Sequence, residues 1–90
     1  MEILDLIRSR LASLSPLICE LQDDSHRHAG HAGARQGGGH FQLHIVSAEF
    51  AGKPTLARHR MIYTALGELM QTRIHALSIR AHSPDEAGSA

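Results

Sequence analysis

Histidines are the residues of this sequence with the most chemistry to offer. His26, His28 and His31 share a stretch with five glycines and no large apolar residue. A neutral imidazole binds zinc, copper, nickel or iron, and glycine lets a loop fold tightly around a metal. Taken alone, the spacing favours solvated histidines, since Cys19 is the single cysteine and no paired-cysteine motif is present. If these histidines bind metal, an open site completed by a partner suits the pattern better than a closed one.

A second group of chemically interesting residues is basic. Arg58 and Arg60 flank His59, and Lys53 lies just before the same predicted helix. These three cations could contact phosphates, although a solvated charged face is the simpler interpretation in a neutral protein. His59 falls at helical spacing within an apolar stripe, with both arginines pointing away, which indicates a hydrogen-bonded core residue.

Catalytic motifs do not stand out in the sequence. There is no acidic pair, no Ser/His/Asp arrangement at a known spacing and no phosphate-binding loop. Gly37, Gly38 and Gly39 lack the lysine and the following helix that a phosphate loop requires. We therefore expect a protein that is not an enzyme.

The elements that position these residues follow from hydrophobic periodicity. The pattern changes between helical and alternating spacing along the chain. It first predicts a helix over 3–14, a strand over 17–22, a loop over 23–39 and a strand over 40–48. A helix from Pro54, which continues past Gly67 to about 70, a strand over 73–82 and a tail over 83–90 follow. The order αββαβ predicts one α+β domain over 1–90. Its loop should be mobile over 26–39, because glycine is costly to order and no apolar anchor is present. The tail begins with Ser83-Pro84-Asp85-Glu86, a capping-box pattern.

The order of elements also predicts the sheet. The strand at 41–48 should pair antiparallel with 17–22 and parallel with 74–81, through a right-handed crossover, with both helices on one face. The second and third strands then begin at the same edge of the sheet, the edge that carries the histidine-rich loop. We expect His75 to share a face with Leu77, opposite Ile74, and to stand close to the loop histidines.

Composition limits the function classes. Ninety residues make one domain, and nine basic residues balance nine acidic ones, so no global field attracts nucleic acid or acidic membranes. Acids near the N-terminus do not suit a signal peptide, and no apolar run approaches the roughly 20 residues that span a bilayer. The expected location is the cytoplasm, away from membranes.

Several segments together resemble one known family. They are Phe41–Ala48 (FQLHIVSA), Phe50–Lys53 (FAGK), Arg58–Tyr63 (RHRMIY), Ile74–Ile79 (IHALSI) and the Ser83-Pro84 pair. The ordered set covers nearly the whole chain and is similar to the BolA family. The resemblance implies a three-stranded mixed sheet similar to the type II KH fold. It also reveals one departure: the family's short helix after Ser-Pro usually carries a tryptophan, which this chain lacks.

The resemblance implies a partner and a cofactor. BolA-like proteins pair with monothiol glutaredoxins and share a [2Fe–2S] cluster with them, the glutaredoxin supplying a cysteine and a bound glutathione. The C-terminal histidine ligand of the family matches His75, and the loop ligand best matches His31, with His28 and His26 as nearby substitutes. The function implied is an adaptor in iron–sulfur cluster trafficking or in iron or redox sensing. Alone, the chain should hold no cofactor and be a monomer or weak homodimer.

DNA binding is the alternative that the resemblance implies. Bacterial members are described as DNA-binding transcriptional regulators acting through a turn and the second helix, here Phe50, Gly52, Lys53, Arg58 and Arg60. The neutral charge weakens this function for the present chain. The Gly-x-x-Gly loop with which KH domains clamp a nucleotide backbone is also missing at the start of the second helix.

Overall fold

Four α-helices, two short 3-10 helices (Ala12–Leu14 and Ala48–Phe50) and three strands lie in the part of the chain that the computed structural model describes, residues 2–25 and 39–88. The α-helices and strands are α1 Ile3–Leu11, β1 Ile18–Asp23, β2 Gly39–Val46, α2 Thr55–Leu66, α3 Leu69–Thr72, β3 Ile74–His82 and α4 Pro84–Gly88. The predicted order αββαβ is confirmed, with α3 and α4 as short additions. Within these ranges no helix is long and apolar enough to cross a membrane.

The sheet has the predicted topology. Its order is β1-β2-β3, with β1 antiparallel and β3 parallel to the central strand. Gly39 at the start of β2 pairs with Ile74 at the start of β3, so both strands begin at one edge. The residues that precede β2 and β3 in sequence therefore meet at that edge.

The start of β3 departs from regular pairing. Gly39 pairs with Ile74, but the next residue, His40, pairs with Ala76, so His75 is an extra residue in a β-bulge. Ile74 is consequently buried on the same side as Leu77, whereas His75 is exposed. The prediction that His75 shares a face with Leu77 was wrong, because the bulge restarts the alternation after Ile74.

The two long helices cover one face of the sheet. The core between them is formed by Ile7, Leu11, Leu14, Phe41, Leu43, Ile45, Phe50, Ile62, Leu66, Leu69 and Ile74. Burying this many large apolar side chains supplies the main stabilisation of so small a domain. The other face, which we call the open face, carries Glu20, Gln22, His40, Gln42, His44, Ala76, Ser78, Arg80 and His82.

The buried stripe of α2 differs from the predicted one. Arg58, Ile62 and Leu66 are buried at a spacing of four, whereas Leu56 and Tyr63 are exposed and His59 is only partly buried. The prediction that His59 faces the core and Arg58 faces solvent was therefore wrong. The helix also ends at Leu66, because the following residue, Gly67, has a positive φ of 55° that favours glycine.

Candidate functional site

His75 stands at the sheet edge where the loop joins β2. Its ring centroid lies 5.1 Å from that of His40, with the two ring planes tilted by 46°. The Gly39 N–H donates to the Arg73 carbonyl oxygen at 2.9 Å and joins the two strand starts. The prediction that β3 begins at the edge where β2 begins is confirmed. The loop histidines at 26, 28 and 31, and the predicted mobility of the loop, lie outside the described residues and stay predictions.

The backbone of His40 is fixed on both sides. Its N–H donates to Ser25 Oγ at 3.0 Å, and its carbonyl oxygen accepts from the Asp24 N–H at 2.7 Å. The strand pairing with Ala76 then places its ring beside that of His75. His40 is not among the site residues predicted from the sequence. The available signal was its position: it begins the strand that pairs with the start of β3.

Gly39 permits close packing beneath this pair. A Cβ atom at this position would come within 2.4 and 2.5 Å of the Phe41 ring and 2.8 Å of Ser25 Oγ. Phe41 is buried in the core, so its ring has little room to move away. The start of β2 therefore needs glycine for steric reasons. The residues next to the histidine pair, Gly39 and Phe41, are tightly packed.

The donors near His75 do not make a closed metal site. Among residues 2–25 and 39–88, no group of three or more His, Cys, Asp or Glu side chains is arranged to hold a metal ion. Cys19 packs against the core from β1, and burial raises the pKa of its thiol. The two imidazoles at this edge differ in exposure, since His75 is exposed and His40 is partly buried. A metal or cluster at His75 would thus need ligands from the loop or from another molecule, which fits a shared group.

The three predicted phosphate contacts have different environments. Lys53 and Arg60 are exposed, but Arg58 is only 8% exposed. Its Nε donates to the Lys53 carbonyl oxygen at 2.8 Å and its Nη1 to the Ala81 carbonyl oxygen at 3.0 Å. Both terminal nitrogens also pair with Glu86. Because this guanidinium is committed to internal partners, Arg58 is poorly placed to contact a phosphate.

Glu86 on α4 completes this internal network. Its Oε1 and Oε2 accept from Arg58 Nη1 and Nη2 at 2.5 and 2.9 Å, and Oε1 also accepts from the Ser83 N–H at 3.0 Å. The last contact is one half of the capping box that the sequence predicts. The Arg58 guanidinium lowers the pKa of the Glu86 carboxyl to about 2, and Glu86 in turn raises the pKa of Arg58.

The turn before α2 is anchored from within. Phe50 is fully buried, Gly52 has a positive φ of 74°, and Lys53 Nζ donates to the Glu49 carbonyl oxygen at 2.9 Å. These contacts fix the position of Lys53, which is exposed just before α2. This arrangement leaves Lys53 and Arg60 as the cations of the predicted basic group that face solvent.

Comparison with known proteins identifies the family. A family model described as BolA-like protein matches residues 11–86. The chain is 44% identical over 86 residues to SufE-like protein 1, chloroplastic/mitochondrial, of Arabidopsis thaliana, covering 89% of this chain and 23% of that protein. It is 38% identical over 86 residues to the DNA-binding transcriptional regulator BolA of Escherichia coli (strain K12), covering 90% and 79% respectively.

A solved structure agrees with the match. BolA1 from Arabidopsis thaliana superposes with a TM-score of 0.81 at 37% identity, with 96% of each chain covered. The family model covers most of the chain, and the sheet order, the crossover and the two covering helices agree with the resemblance seen in the sequence. This chain belongs to the BolA-like family.

Proposed function

We propose that this protein is an adaptor that shares a [2Fe–2S] cluster with a monothiol glutaredoxin in iron–sulfur trafficking or in iron or redox sensing. The observation that carries the proposal is the exposed imidazole of His75, set on a bulge at the edge where the histidine-rich loop joins the sheet. Family membership supports the partner. The absence of a closed metal site within the described ranges suits a ligand set completed by another molecule.

Each donor has a distinct part in this function. His75 would hold the cluster from a fixed strand position, and His31, with His28 or His26 as substitutes, would hold it from the loop. The glutaredoxin cysteine and glutathione supply the remaining ligands. Neutral imidazoles in place of thiolates raise the potential of a cluster and make its binding sensitive to protonation.

The decisive experiment is a visible absorption and circular dichroism spectrum of the chain mixed with cluster-loaded monothiol glutaredoxin. We expect a spectral change on complex formation that His75→Ala abolishes, while the cluster-free complex still forms. His82→Ala is the matched control, because this histidine lies on the same strand at its other end. An unchanged mixed spectrum with His75→Ala would remove the proposed ligand.

The loop ligand should respond differently to substitution. His31→Ala should weaken the cluster and recruit His28, whereas His31→Cys should retain the cluster with a shifted spectrum and a lower potential. Identical spectra for the wild type and for His31→Cys would exclude His31 as a ligand and leave the role to His26 or His28.

DNA binding is a second candidate, favoured by the name of the E. coli relative and by the exposure of Lys53 and Arg60. The balanced charge predicts weak, salt-sensitive binding. We expect Lys53→Ala and Arg60→Ala each to reduce the slope of log affinity against log salt by about one unit in a duplex-binding titration. Tight binding that survives high salt, or unchanged slopes in both variants, would contradict this site.

A further inference from the structure

A second histidine pair lies at the other end of the open face. His44 on β2 and His82 on β3 have ring centroids 5.7 Å apart, with the ring planes at 75°. In the parallel register His44 pairs with Arg80 and His82 pairs with Val46, so the two histidines are diagonal neighbours on one surface. Their side chains are 26% and 43% exposed, and both are accessible to a solvated ion.

Each of these rings faces a carboxylate through the same nitrogen. Glu20 Oε1 lies 2.9 Å from His44 Nδ1, a hydrogen-bond distance, whereas Glu86 Oε1 lies 3.8 Å from His82 Nδ1, which is too long for a hydrogen bond. An ionised carboxylate only accepts hydrogen bonds, so the Nδ1 of His44 carries the hydrogen when the ring is neutral. The Nε2 of His44 then keeps its lone pair. A carboxylate behind an imidazole is the usual outer-shell partner of a metal-binding histidine.

We propose that His44 and His82 form an open site for one divalent ion of the zinc, copper and nickel class, with Glu20 as the positioning residue of His44 and Glu86 as a negative charge beside His82. Imidazole nitrogens bind zinc at about 2.0–2.1 Å, and a tetrahedral angle between two such bonds places the ring centroids roughly 5 Å apart. The observed separation of 5.7 Å is within about 1 Å of that value. Two protein donors make a weak site, with water in the remaining positions.

Glu86 is better fixed than an ordinary surface carboxylate. Arg58 binds both of its oxygens, and the Ser83 N–H binds Oε1. This anchoring holds Oε1 near the His82 ring at little further cost in side-chain entropy. A negative charge that is already fixed favours a bound cation, since no further side chain has to be ordered when the ion binds.

The site is separate from the proposed cluster site. His44 follows His40 by four residues along β2, which at about 3.3 Å per residue puts the two positions roughly 13 Å apart. Neither His44 nor His82 is needed for the glutaredoxin function. A failed test of one proposal therefore leaves the other proposal unaffected.

The test is a titration of the full chain with zinc chloride alone. Two-dimensional NMR monitors the ring signals of each histidine during the titration. We expect the His44 and His82 signals to respond together with a single dissociation constant. His44→Ala should abolish the zinc response of His82, and His82→Gln, which keeps a polar side chain of similar length, should abolish that of His44. His75→Ala should leave both responses unchanged.

The positioning role has its own readout. Glu20→Gln should weaken zinc binding at the pair about 10- to 100-fold, as loss of an outer-shell partner does, and Glu20→Asp should restore part of the affinity. Zinc responses confined to histidines outside the pair, or separate dissociation constants for His44 and His82, would overturn the proposal. So would equal affinity in the wild type and in Glu20→Gln.

Discussion

The two ends of the open face use the same residue type in different surroundings. At the loop end, His40 and the bulged His75 lie beside a sheet edge, and backbone hydrogen bonds and the packing at Gly39 hold that edge. At the far end, His44 and His82 are backed by two carboxylates, one of which belongs to the buried Arg58 network. At the far end, the histidines lie beside the Arg58–Glu86 network, which joins α2, β3 and α4. At the loop end, the imidazole of His75 is exposed and does not pack in the core.

The strongest test of this difference is Arg58→Ala. Its guanidinium joins α2 to the Ala81 carbonyl oxygen of β3 and to Glu86 of α4. We expect its loss to lower the free energy of unfolding by roughly 2–3 kcal/mol, because charged hydrogen bonds and buried packing disappear together. Urea denaturation provides the measurement. Arg60→Ala on the same helix should cost no more than about 0.5 kcal/mol, and equal costs would erase the distinction between the two arginines.

The packing beneath the loop end is tested by Gly39→Ala. The new methyl group would overlap the Phe41 ring, and we expect a loss of about 1–3 kcal/mol in the free energy of unfolding. Phe41→Leu in the same chain should recover part of this loss, which a double-mutant cycle measures as a coupling energy. Strict additivity of the two substitutions would show that the ring does not restrict the side chain at position 39.

Acid should weaken the far end through Glu86. The pKa of its carboxyl falls from 4.5 to about 2 in the folded protein, so its contribution to stability is complete above pH 4.5 and is lost as the pH falls towards 2. We expect the melting temperature of Glu86→Gln to decline less steeply over that window than that of the wild type.

Glu68, paired with Arg10 across α1 and the start of α3, has a similarly lowered pKa and provides a comparison. Glu68→Gln should make the melting temperature decline less steeply with falling pH, independently of Glu86→Gln.

For Glu86, a melting temperature of Glu86→Gln that follows the wild-type pH dependence would contradict the role assigned to the Glu86 carboxylate.

The smallest expected effect on stability belongs to His75→Ala. The ring is exposed on a bulge, so its removal should change the free energy of unfolding by less than about 0.5 kcal/mol. The same variant should lose the cluster-dependent spectrum entirely. A large loss of stability would place His75 among the structural residues and remove the contrast with the far end.

The topology could be predicted because strand alternation and element order are local signals. Phe41, Leu43 and Ile45 alternate as core positions, and the crossover rule then brings the start of β3 to the start of β2. The bulge could not be predicted, since His75 extends an apparently regular alternation and only the pairing with β2 reveals it as an extra residue. The phase of α2 depended on a distant partner. Arg58 is tolerated in the buried stripe because Glu86 lies 28 positions further along the chain and neutralises it.

The bulge has a consequence for how this protein can evolve. Without His75, Ile74 would still pair with Gly39, and Leu77 would still follow on the buried side. The extra residue is therefore accommodated without changing which neighbouring side chains face the core. A substitution at position 75 can therefore change the exposed imidazole while the residues of the interior stay as they are.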